Sequence, residues 1–243
     1  MSAPVPDDAR VAQAPLSDAC ATQVSVLEAL AARYGSAPTE IPPEADGIVR
    51  AMPVVLRIER EPLPGRTALL EAAAQAALAV CTDAEPEWEE PLRLWIDGRI
   101  RKIARRARGA HWAAVQDLPG VTVEVDGAQA RALLPGPVDA VPKIVSRLQI
   151  GGTELPADDP GPAGTPVIAI NPAVDMTVGK AAAQVGHASM ILGAVRGWTA
   201  APRFSVRRDP ALWAELEGRT DAIAVRDAGF TEVDPGTVTC RAV

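Results

Sequence analysis

Residues 166–195, PVIAINPAVDMTVGKAAAQVGHASMILGAV, decide how this chain is read. They open on PVIAIN (Pro166–Asn171), a short unbroken apolar run of the kind that forms a strand buried on both faces. From Met176 to Val195 the composition turns helical, with alanine and glycine between longer side chains. Further on, RFSVRR (Arg203–Arg208) reads as a strand. DPALWAELEG (Asp209–Gly218) starts with an Asp suited to an N-cap and a Pro suited to the first helical position, then ends on Gly, so it reads as a helix. DAIAVRD (Asp221–Asp227) and GTVTCRAV (Gly236–Val243) read as strands around a turn at Asp234–Gly236. Four strands and two helices in this order imply a three-layer α/β unit with a mixed sheet over residues 166–243.

The upstream sequence repeats this pattern in diverged form. PVVLRI at Pro53 can be laid on PVIAIN at Pro166, and EAAAQ ending at Gln75 on KAAAQ ending at Gln184. HWAAV around Trp112 then matches LWAEL around Trp213, Asp126 falls on Asp227, and Pro135–Gly136 lies near Pro235–Gly236. These matches indicate an internal duplication, so the expected fold class is α/β: two tandem three-layer α/β/α units, each with a small mixed sheet of about four strands. In the first unit a strand is expected over Pro53–Arg60 and a helix over Thr67–Thr82. The units are residues 51–149 and 166–243. Between them, residues 150–165 carry Gly, Pro and Asp with no apolar period and read as an inter-domain linker. Residues 1–50 form an extension: a helix over Asp18–Tyr34 capped by Ser17 or Asp18 and followed by Gly35, then a Pro-rich connector over Ser36–Asp46.

The 243 residues are 48% hydrophobic and 23% charged, a globular composition with enough chain to bury a core. The net charge of −7 is concentrated at two places. Residues 1–50 hold seven acids and three bases (−4), and residues 150–165 hold three acids and no base (−3). The units balance at thirteen against thirteen and eight against eight, so the acidity does not exclude an RNA-facing surface on either. Three widely spaced cysteines, Cys20, Cys81 and Cys240, do not make a disulfide framework, and two histidines leave little for a zinc site. No metal or cofactor is expected. No apolar run has the length of a membrane span, and the first twenty residues have no hydrophobic signal region, so the expected setting is cytoplasmic and away from membranes.

Spacings of four and seven put Lys180, Gln184 and His187 on one face of the second unit's helix, among Ala181, Ala182, Ala183, Gly186 and Ala188. Gly179 lets the backbone approach a ligand, and the helix start offers free N–H groups to an anion. The second candidate stretch, VRDAGFTEVDPGTVTC (Val225–Cys240), places Asp227 at the end of a strand, where α/β sheets bind ligands. Thr231 lies four residues on, and Thr237 and Thr239 flank the last turn.

Taken together the two stretches resemble the type 2 peptidyl-tRNA hydrolases. That family carries M-x-x-G-K-x-A-A-Q-x-x-H-A, a later D-A-G-x-T, and a P-G-T/S turn before the final strand. Here these elements are Met176, Gly179, Lys180, Ala182, Ala183, Gln184, His187 and Ala188; then Asp227, Ala228, Gly229 and Thr231; then Pro235, Gly236 and Thr237. More loosely, the chain looks like the longer actinobacterial members with a degenerate N-terminal repeat. The resemblance implies a four-stranded mixed sheet between helices, usually in a homodimer, with no metal. It implies hydrolysis of the ester that links a peptide to the terminal ribose of tRNA, with peptidyl-tRNA as partner. The departures are Thr177–Val178 in place of a first Gly-Lys pair, Phe230 for the usual Arg, Glu232 for the usual Gln, Asn171 for the Arg after the first strand, and a short stretch between helix and D-A-G.

Under that reading water attacks the ester directly, since no Ser or Cys sits in a nucleophile elbow. His187 is the candidate general base because imidazole titrates nearest neutrality. Asp227 either orients it or positions the water itself. Lys180 holds a terminal phosphate or stabilises the oxyanion, Thr231 and Gln184 hydrogen-bond, and Gly179 and Thr237 line the substrate. In the first unit Glu71, Leu78 and Ala130 stand where Lys180, His187 and Thr231 stand in the second. That unit therefore lacks the chemistry and is expected to imitate the family's second subunit within a monomer, a homodimer remaining an alternative. RLWIDGRIRKIARRAR (Arg93–Arg108) holds seven bases against one acid. Its Arg99, Arg101, Lys102 and Arg105 are candidates for tRNA phosphates; the alternative is a solvated face paired with the acidic run Glu85–Glu90. Two rival functions stand beside hydrolysis of peptidyl-tRNA: an inactive RNA-binding or adaptor protein on the same fold, and a hydrolase of another small ester or amide.

Overall fold

The computed structural model describes residues 25–35, 44–151, 154–227 and 232–243. The chain is α/β, with two mixed sheets built on one plan. In the first unit β1 (Arg50–Arg57) is followed by α2 (Arg66–Thr82), α3 (Glu89–Asp97), β2 (Arg101–Ala107), α4 (Gly109–Val115), β3 (Gly120–Val125) and β4 (Ala128–Leu133). The second unit runs β6 (Val167–Ile170), α6 (Val178–Arg196), β7 (Ser205–Arg207), α7 (Pro210–Glu217), β8 (Ile223–Arg226) and β9 (Val238–Ala242). The strand orders are β2-β1-β4-β3 and β7-β6-β9-β8, the same topology twice, with the first two strands parallel and the other neighbours antiparallel. A two-residue strand β5 (Gly136–Pro137) and a one-turn helix α5 (Lys143–Ser146) complete the first unit, and α1 (Val26–Tyr34) precedes it.

Each sheet has helices on both faces. Val54 and Leu56 point into the core shared with α2, while Val55 meets Trp112 of α4 and Val145 of α5 on the other side. In the second unit Ile168 and Ile170 face α6, and Val167 and Ala169 face Leu216 of α7. The inner helices α2 and α6 are Ala-rich and buried around most of their circumference because each lies between its own sheet and the other helix. Small residues permit the approach. A Cβ on Gly186 would lie 3.1 Å from the Ala77 methyl, and one on Gly193 would lie 2.8 Å from Leu78. Across this contact Ser189 Oγ donates to the Ala74 carbonyl at 2.6 Å. One continuous cluster therefore holds Leu56 and Leu78 of the first unit with Ile170 and Met190 of the second, and takes in Leu30 of α1.

The helix ends follow the sequence signals. Asp209 accepts from Leu212 N at 2.7 Å with Pro210 behind it, Thr177 accepts from Lys180 N at 3.1 Å, and Gly197 closes α6 in the left-handed region at φ 64°. The helix expected from Asp18 is capped instead at Ser25: its hydroxyl accepts from Glu28 N and the Glu28 carboxylate accepts from Ser25 N, a complete capping box. Ser17 and Asp18 lie outside the described residues. β1 begins at Arg50, earlier than the Pro53 start expected. Pro53, which has no N–H to give, falls between the part of β1 that pairs with β5 and the part that pairs with β4.

The linker is strapped down. Leu155 is buried in the shared core, Asp158 accepts from Thr67 N and Oγ1, and Arg207 donates to the Gly161 and Pro162 carbonyls at 3.0 and 2.9 Å. Among the described residues no helix is long and apolar enough to cross a membrane.

Strand pairing also corrects the residue match between the units. Val54 lies opposite Ala104 and Ala132, and Ile168 opposite Val206 and Ala242. Val54 therefore corresponds to Ile168, whereas the sequence match laid it on Val167, which faces the opposite side of its sheet. One residue of slip exchanges the two faces of a strand.

Candidate active site in the second unit

Lys180 and Gln184 stand one turn apart on α6, and Asp227 follows the last residue of β8. The Lys180 ammonium donates to Asp227 Oδ2, forming an ion pair whose side chains are 11% and 4% exposed. Gln184 Nε2 donates to the same oxygen at 2.8 Å, and Thr239 Oγ1 donates to Gln184 Oε1 at 2.6 Å. The order is forced. An ionised carboxylate only accepts, so the amide must turn its nitrogen toward Asp227 and its oxygen toward Thr239. Thr239 is placed for this by a slip in the β8–β9 register: Val225 pairs with Cys240 but Arg226 with Val238, leaving Thr239 as the extra residue.

Asp227 is also held through its backbone. Its N–H donates to the Thr237 carbonyl at 2.9 Å, and its carbonyl accepts from Gly236 N at 2.8 Å. Gly236, at φ 82°, supplies the left-handed conformation of the Pro235–Gly236 turn. The turn thus closes the neck of the loop that starts at Asp227, and Thr237 contributes its carbonyl to that neck. Thr231, with Ala228, Gly229 and Phe230, lies outside the described residues. Glu232 is exposed and accepts from Thr177 N at 3.0 Å and Thr177 Oγ1 at 2.9 Å, which puts a carboxylate on the N-terminus of α6. Asn171, the other departure in reach, ties β6 to β9 by donating to the Val238 carbonyl at 2.8 Å. Gly179 is buried in the first turn of α6.

His187, three residues after Gln184 on α6, reaches the first unit. Its Nδ1 meets Lys102 Nζ of β2, in the first unit, at 3.1 Å. Burial, reinforced by the positive charges of Lys102 and Lys180, holds the His187 imidazole well below its ordinary range. Burial also pushes the Lys102 amine down to about 7. Its nitrogen lies 5.0 Å from the centre of the Trp95 ring, which is fixed by the Trp95 indole N–H donating to the Arg101 carbonyl at 3.0 Å.

Other members of the basic run are engaged with the protein itself. Arg101 pairs with Glu44, Arg105 donates to the Leu148 carbonyl at 3.0 Å, and Arg93 pairs with Glu89 at 2.9 Å, one member of the acidic run. Arg99 is half-buried in the turn between α3 and β2. Arg101, Lys102 and Arg105 are thus tied to the protein's own groups, by strand and turn geometry that the charge count of the sequence does not reveal.

In the first unit the matching positions hold packing and interface contacts. Glu71, at the place of Lys180, is buried and accepts from Val206 N at 3.0 Å and from Arg207 at 2.9 Å, which docks β7 of the other unit. Strand pairing sets Val225 against Val123, so Asp227 corresponds to Val125, a buried core residue. Asp126, the sequence match, comes one residue later in a tight turn at φ 47° and pairs with Arg203 at 2.6 Å. A cleft of about 560 Å³ opens there, lined by Glu71, Asp126, Asp158, Arg203 and Arg207, and a second of about 410 Å³ runs along the linker past Arg66 and Met176. Lys180 and Asp227 line neither.

Sequence reasoning missed Thr239's grip on Gln184, Glu232's seat on α6 and Lys102's reach across the units; only the first two had a signal, in a polar residue among apolar strand neighbours and a carboxylate near a helix start. Among the described residues no group of three or more His, Cys, Asp or Glu side chains could hold a metal ion, and Cys81 and Cys240 are buried and unpaired with each other. No protein-family model matches this chain, and neither the curated proteins nor the solved structures yield a match.

Proposed function

We propose that the second unit hydrolyses the ester of peptidyl-tRNA, releasing the peptide and free tRNA. The observation that carries this reading is the convergence of Lys180 and Gln184 on one carboxylate oxygen of Asp227 at the end of β8. These are the residue types and positions of the family motif that the sequence resembles. The reading also takes support from the placement of that carboxylate at a strand end, where α/β sheets present their sites.

The chemistry is set by which groups can accept a proton. Lys102 Nζ lies 3.1 Å from His187 Nδ1; while that amine is protonated the neutral ring accepts there, carries its own proton on Nε2 and offers a donor. That leaves the Asp227 carboxylate as the base. It takes a proton from water as the water oxygen bonds to the ester carbonyl carbon. Negative charge grows on the carbonyl oxygen and is met by the Lys180 ammonium. When the tetrahedral species collapses, the ribose oxygen leaves and recovers the proton from Asp227. Gln184, pinned by Thr239, keeps the carboxylate in one orientation throughout. The test is release of the N-acetylaminoacyl group from N-acetylaminoacyl-tRNA by the purified full chain. Release that Lys180→Met abolishes is the expected result; intact tRNA ester after prolonged incubation with the wild type contradicts the reading.

A second reading, an RNA-binding or adaptor protein without activity, draws on one observation. Lys180 and Asp227 are bonded to each other and almost fully enclosed, so neither faces open solvent. The same assay separates the two, since tight tRNA binding without release supports the second.

A further inference from the structure

We infer that Lys102, supplied by the first unit, is a positioning residue of the second unit's site: its ammonium donates to His187 Nδ1 and fixes that ring with its proton on Nε2, pointing along the polar face of α6. This rests on the proposal that the Lys180–Asp227 cluster acts on peptidyl-tRNA, and it gives the degenerate unit a part in the reaction.

The geometry is built around that contact. Lys102 leaves β2, an edge strand of the first sheet, and crosses to α6 of the second unit. Its stem lies against Gly186, where any Cβ would come within 3.2 Å of both Lys102 Cδ and Cε. The glycine therefore makes room for this stem as well as for the Ala77 methyl of α2. Trp95 supports the ammonium from the other side at 5.0 Å, a contact that stabilises a cation without neutralising it. A lysine placed for stability alone would be set against a carboxylate; this one meets an aromatic face and a ring nitrogen. Below about pH 7 the amine is protonated, with three donors and no acceptor, so there the imidazole accepts at 3.1 Å. His187 then presents Nε2–H on the face shared with Gln184 and Lys180.

The surrounding groups favour the same state. Lys180 on α6 and Lys102 on β2 both oppose a second proton on His187, and burial opposes it further. Cys81 on α2 is the other titratable group that registers at Lys102, and burial pushes its thiol up to about 12, so it stays neutral. On α1, the Arg33 and Tyr34 side chains are directed to the Gly98 carbonyl, and at the end of β8 Asp227 is occupied by Lys180 and Gln184. His187 therefore remains neutral at a pH where an ordinary imidazole is mostly charged.

The experiment is long-range ¹H–¹⁵N correlation NMR on the full chain labelled at histidine, recorded at pH 6.0, with His111→Gln to assign the two rings. The expected wild-type pattern is one unprotonated nitrogen, Nδ1, and one protonated, Nε2. Lys102→Met keeps the stem and removes the donor. It should yield a mixed or charged ring at pH 6.0 and lower kcat on N-acetylaminoacyl-tRNA about tenfold with KM unchanged. A charged ring or an Nδ1–H tautomer in the wild type overturns the inference, and needs no variant to fold. So does a Lys102→Met protein whose ring state or kcat equals that of the wild type. Should the wild type show the expected tautomer yet release nothing from the tRNA, the hydrolase reading fails while the Lys102–His187 assignment stands.

Discussion

The two units share a strand order and differ most in the connection after their third strand. In the first, β3 turns into β4 through Asp126 and Gly127 alone, both in the left-handed region. In the second, the chain leaves β8 at Asp227 and returns at Thr237, and the Pro235–Gly236 turn bonds both ends of that loop to each other. The longer loop allows a buried carboxylate where the first unit has Val125, and α6 answers it with Lys180 and Gln184. The first unit gave the equivalent helix position to Glu71, which holds the other unit's β7. One copy carries a charged cluster that does chemistry in our reading, and the other uses the same helix face for assembly. One helix position thus serves a buried charged cluster in one unit and the joint between the units in the other.

The sharpest way to break this contrast is to remove the two helix residues in parallel. Lys180→Met should lower ester hydrolysis about a hundredfold to a thousandfold, the effect of deleting a donor to a developing oxyanion, and should also lower the urea midpoint, because the buried Asp227 carboxylate loses its cation. Glu71→Ala should lower stability in the same way and spare the activity. It strands Arg207, 11% exposed, and the Val206 N–H without their acceptor, at a cost of about 3 kcal/mol, read as a lower urea midpoint with kcat of the remaining folded protein within a factor of a few. Equal loss of kcat in both variants would erase the distinction.

A smaller effect probes the joint between the units. Gly193→Ala brings a methyl to 2.8 Å from both Leu78 Cδ atoms and should cost about 1–3 kcal/mol. Leu78→Ala in the same chain should give a combined loss smaller than the sum of the two single losses, because the clash and the cavity relieve each other; strict additivity in denaturant titrations would mean the helices do not meet as described.

The smallest expected effect is a slope. The folded chain holds Lys102 near 7 while an unfolded lysine titrates near 10.4, so between pH 7 and 9 the unfolded state binds more protons and stability rises with pH. Urea midpoints at pH 7 and 7.8, where few unfolded thiols are ionised, should show the rise, and Lys102→Met should flatten it. A wild-type midpoint that stays level or falls would count against the enclosed amine.

Much of this contrast is visible in the residues themselves. The apolar run at Val167–Ile170, the Asp-Pro start of α7 and the Ala-rich helices set the element order, because strand burial and capping are local properties. The i, i+4 spacing likewise put Lys180 and Gln184 side by side. Register was less legible: with period-two alternation, laying Val54 on Val167 or on Ile168 costs nothing in composition, yet it decides which face is core. The same ambiguity matched Asp227 to Asp126, when pairing matches it to Val125. Longer-range partners were illegible. A count of seven bases suggests a surface for phosphates, and only the fold shows Arg101 turned to Glu44, Arg105 to a backbone carbonyl and Lys102 to the other unit.

The most direct measurement is single-turnover release of the N-acetylaminoacyl group from tRNA by the wild type, Asp227→Asn and Asp126→Asn under identical conditions. The account predicts that Asp227→Asn slows release by at least a hundredfold, as expected for a lost general base, while Asp126→Asn stays within twofold of the wild type. Wild-type rates with Asp227→Asn, or a comparable loss with Asp126→Asn, would contradict it.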